Sequence, residues 1–387
     1  MPFDSARSLL EDGARNAAQR RPHHVADPDE VRAATSARRC RAAAKVACAF
    51  ALTVALLFGS TSARANSGIW ISPSELGALP VSGAAWTALK TQADRSPCTP
   101  NLSYQSSSCN VVTLAKALVF ARTRTETYRT QVLTALKTII ASGTYSGNAL
   151  ALGRELAAYV IAADLIDLKT FAPATDLQWR TKIKELRNAR TNEGGTLVEC
   201  HEYRPNNWGN HCGASRIAVD VYLGDLTDLG RAATVTQGYL GNRTLYAGFK
   251  YGDLSWQADS TRPVGINRKG ATKDGHSVDG VLPDDQRRGG SFTWPPPKEN
   301  YVYEGLQGVL AQALLLSRAG YDVWNWSDKA LLRAFKWLHD QADYPAEGDD
   351  TWEPHVINYA YGTAFPAPLP ARTGKNVGYT DWTLSKR

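Results

Sequence analysis

Methionine is nearly absent from this chain: Met1 is the only one in 387 residues, which excludes an internal ATG start. Alternating strand patterns of any length are missing too, which argues against a sheet-based core. The one nearly continuous apolar run, residues 46–58, falls short of the about 20 residues that a comfortable membrane span takes. Beyond residue 65 there is no Lys/Arg-rich block. The formal charge of +7 is therefore no footing for nucleic acid. Cysteine is sparse, and the pairs Cys98/Cys109 and Cys200/Cys212 lack the two-to-four-residue spacing of a zinc site. Neither a metal nor a cofactor is expected.

What is present begins with a leader. Residues 1–45 are polar and rich in Ala and Arg, without a sustained apolar pattern, and read either as disordered or as residues ahead of the true start. Arg38-Arg39-Cys40-Arg41 and Lys45 precede the apolar run, and Ala63-Arg64-Ala65 follows it. A basic flank, a short apolar core and an Ala-x-Ala site describe a signal peptide. Residues 1–65 are thus expected to be removed, leaving residues 66–387 as one domain, periplasmic or secreted and monomeric, without a membrane span. An uncleaved signal anchor is the rival. The leader holds ten Lys/Arg and six Asp/Glu, so the remainder is only about +3. Four cysteines remain after cleavage, in two close pairs. In an oxidising compartment they predict Cys98–Cys109 and Cys200–Cys212 disulfides. Loops of this length gain about 3 kcal/mol each by chain entropy.

From residue 110 the apolar period is helical. Segments 111–122, 128–141, 150–168, 177–189, 215–222, 226–240, a stretch from residue 301 and 330–342 each carry a stripe at helical spacing. The gaps are short and polar, so neighbours should run antiparallel. The predicted fold is all-α, an (α/α) toroid or incomplete barrel of antiparallel helix pairs with long functional loops. Residues 241–300 break the helical pattern and are rich in Gly, Arg, Asp, Trp and Pro. A loop of that length inside a compact domain is usually functional or disordered, and its aromatics and acids argue against disorder.

The densest chemistry lies in Pro205-Asn206-Asn207-Trp208-Gly209-Asn210-His211-Cys212. With a helix starting near Asn207, Asn207 and His211 share one face. Polar groups there also serve as helix caps. In the long loop His276, Arg287, Arg288 and Trp294 stand out, with Tyr301 and Tyr303 just beyond. His276 also fits a turn, one of the two arginines a surface ion pair, and both tyrosines helix-start packing. Trp208, Trp256 and Trp294 offer aromatic faces that suit sugar rings or pack loops onto helices. A polysaccharide lyase needs such a set. It neutralises a uronate carboxylate with Asn, Arg or a protonated His. It then removes the adjacent proton and protonates the leaving oxygen through Tyr or His.

Asn206-Asn207-Trp208-Gly209 ahead of a helix resembles the Asn-Asn motif of the alginate lyase family with an (α/α) toroid fold. Pro283-Asp284-Asp285-Gln286-Arg287-Arg288-Gly289 is similar to that family's Pro-x-Glu/Asp-x-x-Arg-Gly element. The resemblance covers about residues 110–340. It implies that Asn207 and Arg288 neutralise the substrate carboxylate, with Asn206, Trp208, Trp256, Arg287 and Trp294 lining the substrate. His211 or His276 and Tyr301 or Tyr303 would complete the site. The chain departs from the family pattern in carrying Trp208 where a His follows the second Asn, and in the Pro-rich segment 291–298 between Arg288 and the tyrosines. The expected partner is an anionic polysaccharide of mannuronate, guluronate or glucuronate. Two other readings stand beside this one. A glycoside hydrolase on the same scaffold would use paired carboxylates from Asp279, Asp285, Glu299, Glu304 or Asp350. A carbohydrate-binding protein would keep the groove without chemistry.

Overall fold

The computed structural model describes residues 68–385, so the leader lies outside the described residues. Fifteen α-helices follow one another in that span. They are α1 (Pro73–Ala78), α2 (Ala84–Asp94), α3 (Cys109–Thr123), α4 (Glu126–Ile140), α5 (Ala149–Leu165), α6 (Leu168–Phe171), α7 (Pro173–Asn188), α8 (Leu197–Tyr203), α9 (Asn207–Leu223), α10 (Leu226–Tyr239), α11 (Pro283–Gln286), α12 (Tyr301–Arg318), α13 (Trp326–Asp340), α14 (Glu353–Tyr361) and α15 (Thr380–Thr383). The only strands among the described residues are β1 (Thr272–Lys273) and β2 (His276–Ser277), an antiparallel pair with Lys273 opposite His276. The fold is therefore all-α, as the missing alternation required. No helix among the described residues is long and apolar enough to cross a membrane.

The helices form two layers. In the inner one α3 packs on α5, α5 on α9 and α9 on α12. In the outer one α4, α7 and α10 lie against these. The burial of each helix explains its layer. α4 buries a single stripe, Val132, Ala135, Leu136 and Ile139, at the spacing of one amphipathic face. α5 is buried at every residue except Arg154 and Asp164, as a helix apolar on all sides must be. Two glycines let the inner helices touch main chain to main chain. A Cβ on Gly153 of α5 would lie 2.7 Å from the Cys212 nitrogen, and one on Gly308 of α12 would lie 2.5 Å from the His211 nitrogen. α9 is thus gripped from both sides at His211.

Cys98 and Cys109 form the expected disulfide. Cys200 and Cys212 do not: both are free and buried. Each thiol donates to a carbonyl instead, Cys200 to Trp208 and Cys212 to Ala149, both at 3.4 Å. Burial also holds the Cys212 thiol well above its ordinary pKa, which disfavours the reactive thiolate. The C-terminal segment returns to the inner layer, where the Tyr379 hydroxyl donates to Val111 and Lys375 reaches Glu155 of α5.

Candidate functional site

Three inner helices are open at a few positions near their N-termini. Arg154 on α5, Trp208 on α9, and Tyr301 and Glu304 on α12 are half-buried or exposed among buried neighbours. The start of α9 is set by local chemistry. Asn206 is its N-cap, with its side-chain oxygen accepting from the Trp208 N–H at 3.2 Å. The short helix α11 then places two carboxylates against that end. Asp284 accepts from the Asn206 amide at 2.8 Å, and Asp285 accepts from the Asn207 backbone N–H at 3.0 Å. Acidic groups at a helix N-terminus are favourable. The two motifs found 78 residues apart therefore meet. Burial pushes the Asp285 carboxyl well above its usual range, with the Asn207 N–H opposing.

Asn207 is buried, and its side-chain oxygen has no hydrogen-bond partner. One helical turn on, His211 is fully buried. Its Nδ1 accepts from the Asn376 amide at 2.9 Å, which leaves the proton on Nε2. Nε2 stands 3.6 Å from Glu304, too far for a hydrogen bond, and has no partner of its own. Arg154 donates to the same Glu304 oxygen. Burial drives the His211 pKa down to about 4, the neighbouring Glu304 only partly opposing. Burial would raise Glu304, but His211 and Arg154 outweigh it and hold the carboxyl at about 2. At neutral pH the site therefore contains a neutral imidazole, a guanidinium and a carboxylate. Of the groups named for carboxylate neutralisation, His211 therefore offers an N–H and no charge.

Arg288 is exposed, and its guanidinium lies 4.2 Å from the centre of the Tyr301 ring. Tyr301 is 40 % exposed and one turn ahead of Glu304 on α12. Tyr303 is placed elsewhere. It is fully buried and donates its hydroxyl to the Tyr344 carbonyl at 2.6 Å, so it is a core residue. Trp256 is also core: it is fully buried, and its Nε1 donates to Gly290. Arg287 pairs with Asp284 at 2.8 Å. His276 stacks on Trp294 with ring centres 4.4 Å apart. No hydrogen bond or ring contact joins that pair to Asn207 or His211 among the described residues. Trp208 is half-buried beneath the Arg204 guanidinium.

Behind the site lies a sealed polar layer that sequence reading missed in part. Lys375 pairs with Glu155 at 2.6 Å, and Gln307 donates to Asp350 at 2.7 Å. Burial raises both carboxyls to about 7, with Lys375 pulling Glu155 down and Gln307 pulling Asp350 down. Both oxygens of the fully buried Glu353 lack partners. The unfolded chain releases the Asp350 proton near 3.8, the folded chain only near 7. The folded state therefore binds the extra proton in that window, and stability falls as pH rises from about 4 to about 7, then levels. His211 acts in the opposite sense between about 4 and 6.5. Asp350→Asn isolates the carboxyl: urea unfolding across this range should show a shallower fall, or steeper rise, than the parent, and parallel curves would remove Asp350 from the account.

Among the hydrolase candidates, Asp279 is paired with Arg333, Asp285 is buried under α9 and Asp350 is 2 % exposed. Glu299 accepts from the Tyr301 N–H at 3.0 Å. Arg154, Asn376 and Lys375 carried no local motif. An arginine at residue 154 within an otherwise buried helical stripe is the one signal that could have pointed to the site. No protein-family model, no curated protein and no solved structure matches this chain.

Proposed function

We propose that the protein is an exported polysaccharide lyase that cleaves a uronate polymer by β-elimination, with its two helical layers arranged as an (α/α) toroid. The observation that carries this reading is the pair of unpartnered buried atoms, the Asn207 side-chain oxygen and His211 Nε2–H, one helical turn apart on α9. Buried polar groups are ordinarily satisfied within the protein, so these two are poised for a ligand. The Asn207 side-chain NH2 and His211 Nε2–H supply neutral donors for a substrate carboxylate. Arg288, which has no acidic partner among the described residues, supplies positive charge, while Arg154 offsets the Glu304 carboxylate. The proton next to that carboxylate then becomes acidic enough to leave. Tyr301, an exposed residue, takes the proton as its phenolate and, as the phenol so formed, returns it to the departing glycosidic oxygen as the carbon–oxygen bond breaks and the sugar double bond forms. The hydrolase reading is weaker because Asp350 and Glu353, the carboxyls nearest in character to a general acid, are sealed from solvent.

The test is ultraviolet absorbance of the reaction with alginate, polymannuronate, polyguluronate and glucuronan. The unsaturated product absorbs in the far ultraviolet. Growth of absorbance on one polymer, reduced about a hundredfold or more in Asn207→Ala, is the expected result. New reducing ends without absorbance would mean hydrolysis instead, and neither signal would leave only binding.

A further inference from the structure

Three adjacent residue pairs divide between two faces. Asn207, Asp285 and Arg288 belong to the site just described. Their neighbours Asn206, Asp284 and Arg287 line a separate cavity of about 510 Å³, together with Tyr203, Arg204, Lys250 and Tyr251. The N-terminus of α9 is the shared wall. Two of the cavity's cations are already neutralised: Arg287 by Asp284 and Arg190 by Glu199. Two are not. Arg204 lies over the Trp208 ring at 4.2 Å and Lys250 over the Tyr203 ring at 4.5 Å, and neither has an acidic partner among the described residues. The Lys250 backbone N–H bonds to the Tyr203 carbonyl at 2.8 Å, which fixes this edge of the cavity.

We propose that this cavity is a second uronate-binding subsite, in which Arg204 and Lys250 take the carboxylate of a sugar residue neighbouring the one at Asn207. The ligand's identity rests on the lyase reading. The chemistry suits a sugar acid: two cations seated on aromatic rings keep their charge, while Tyr203 and Tyr251 in the lining offer apolar surface to a sugar. Tyr251 adds a hydroxyl to the lining. A polymer spanning both faces would be held by one carboxylate on each side of the α9 N-terminus.

Binding is tested apart from turnover, in the Asn207→Ala protein, by titration calorimetry with trimers of glucuronate, mannuronate and guluronate. A neutral glucose trimer and inorganic sulfate are the controls. At least one uronate trimer should bind, more weakly as salt rises, and adding Arg204→Gln with Lys250→Gln should weaken it at least tenfold. The glucose trimer should not bind. Lys250→Gln alone, at an exposed position, should weaken it at least threefold and covers the case in which the double change disturbs folding. No uronate binding, affinity unchanged in the variants, or sulfate binding as tightly as the trimers would each overturn the subsite. Uronate binding together with no unsaturated product from the parent protein would instead overturn the lyase reading and leave the subsite standing.

Discussion

Replacing Tyr301 by Phe should lower turnover of the cleaved polymer by about a hundredfold to ten-thousandfold, the usual worth of a positioned acid–base group. KM should move little, because the ring and its contact with Arg288 remain. On the proposed lyase reading, removing only the hydroxyl takes away the proton carrier and leaves Asn207, His211 and Arg288 to hold the carboxylate. Tyr303→Phe is the matched control. Its hydroxyl serves the Tyr344 carbonyl inside the core, so its loss should cost about 1 kcal/mol of stability and leave kcat unchanged. Steady-state kinetics of the two variants decide the matter. Equal losses in both, or none in Tyr301→Phe, would take Tyr301 out of the chemistry.

Lys375→Met should destabilise the fold by about 3–5 kcal/mol at neutral pH, the cost of leaving a buried charge without its partner. Lys375 is 7 % exposed and Glu155 is fully buried. The ammonium group also donates to the Ser107 carbonyl, so three elements lose their common tie. The Glu155 carboxyl already sits near 7 and would take up a proton once the lysine is gone. The loss should accordingly shrink toward pH 5. Adding Glu155→Gln should recover a large part of it, since the pair is then removed together. Urea denaturation of the single and double variants measures both effects. A cost below about 1 kcal/mol would mean that Glu155 holds its proton in the parent protein already.

The helices and the Asn206–Asn207 corner were legible because they depend on local pattern. Apolar spacing marked eight of the helices, and a cap followed by an apolar run placed the start of α9 at Asn207. The Pro283–Gly289 stretch was recognisable for the same reason, although its contact with Asn206 arises only in three dimensions. The choice between Tyr301 and Tyr303 was not legible. Residues two apart on a helix face different ways, and which one faces outward depends on the packing of α12. Arg154 and Asn376 were hidden because each meets its partner across a long stretch of chain, Arg154 reaching Glu304 over 150 residues and Asn376 reaching His211 over 165. The Cys200–Cys212 spacing suggested a bridge, but the thiols are taken up by carbonyls of the surrounding main chain.

The glycine contacts on either side of His211 bear on how such a chain can change over time. The spacing of α5, α9 and α12 at that level is set by main-chain contact at Gly153 and Gly308, not by the bulk of apolar side chains. Leucines and valines elsewhere in the inner layer can be exchanged for others of similar volume without moving the imidazole relative to Glu304. The rim is built differently, from loops and helix ends that carry Arg288, Trp208 and Lys250. Drift in the core and diversification at the rim are therefore nearly independent, and a lineage could change the residues at the rim while keeping the same buried centre.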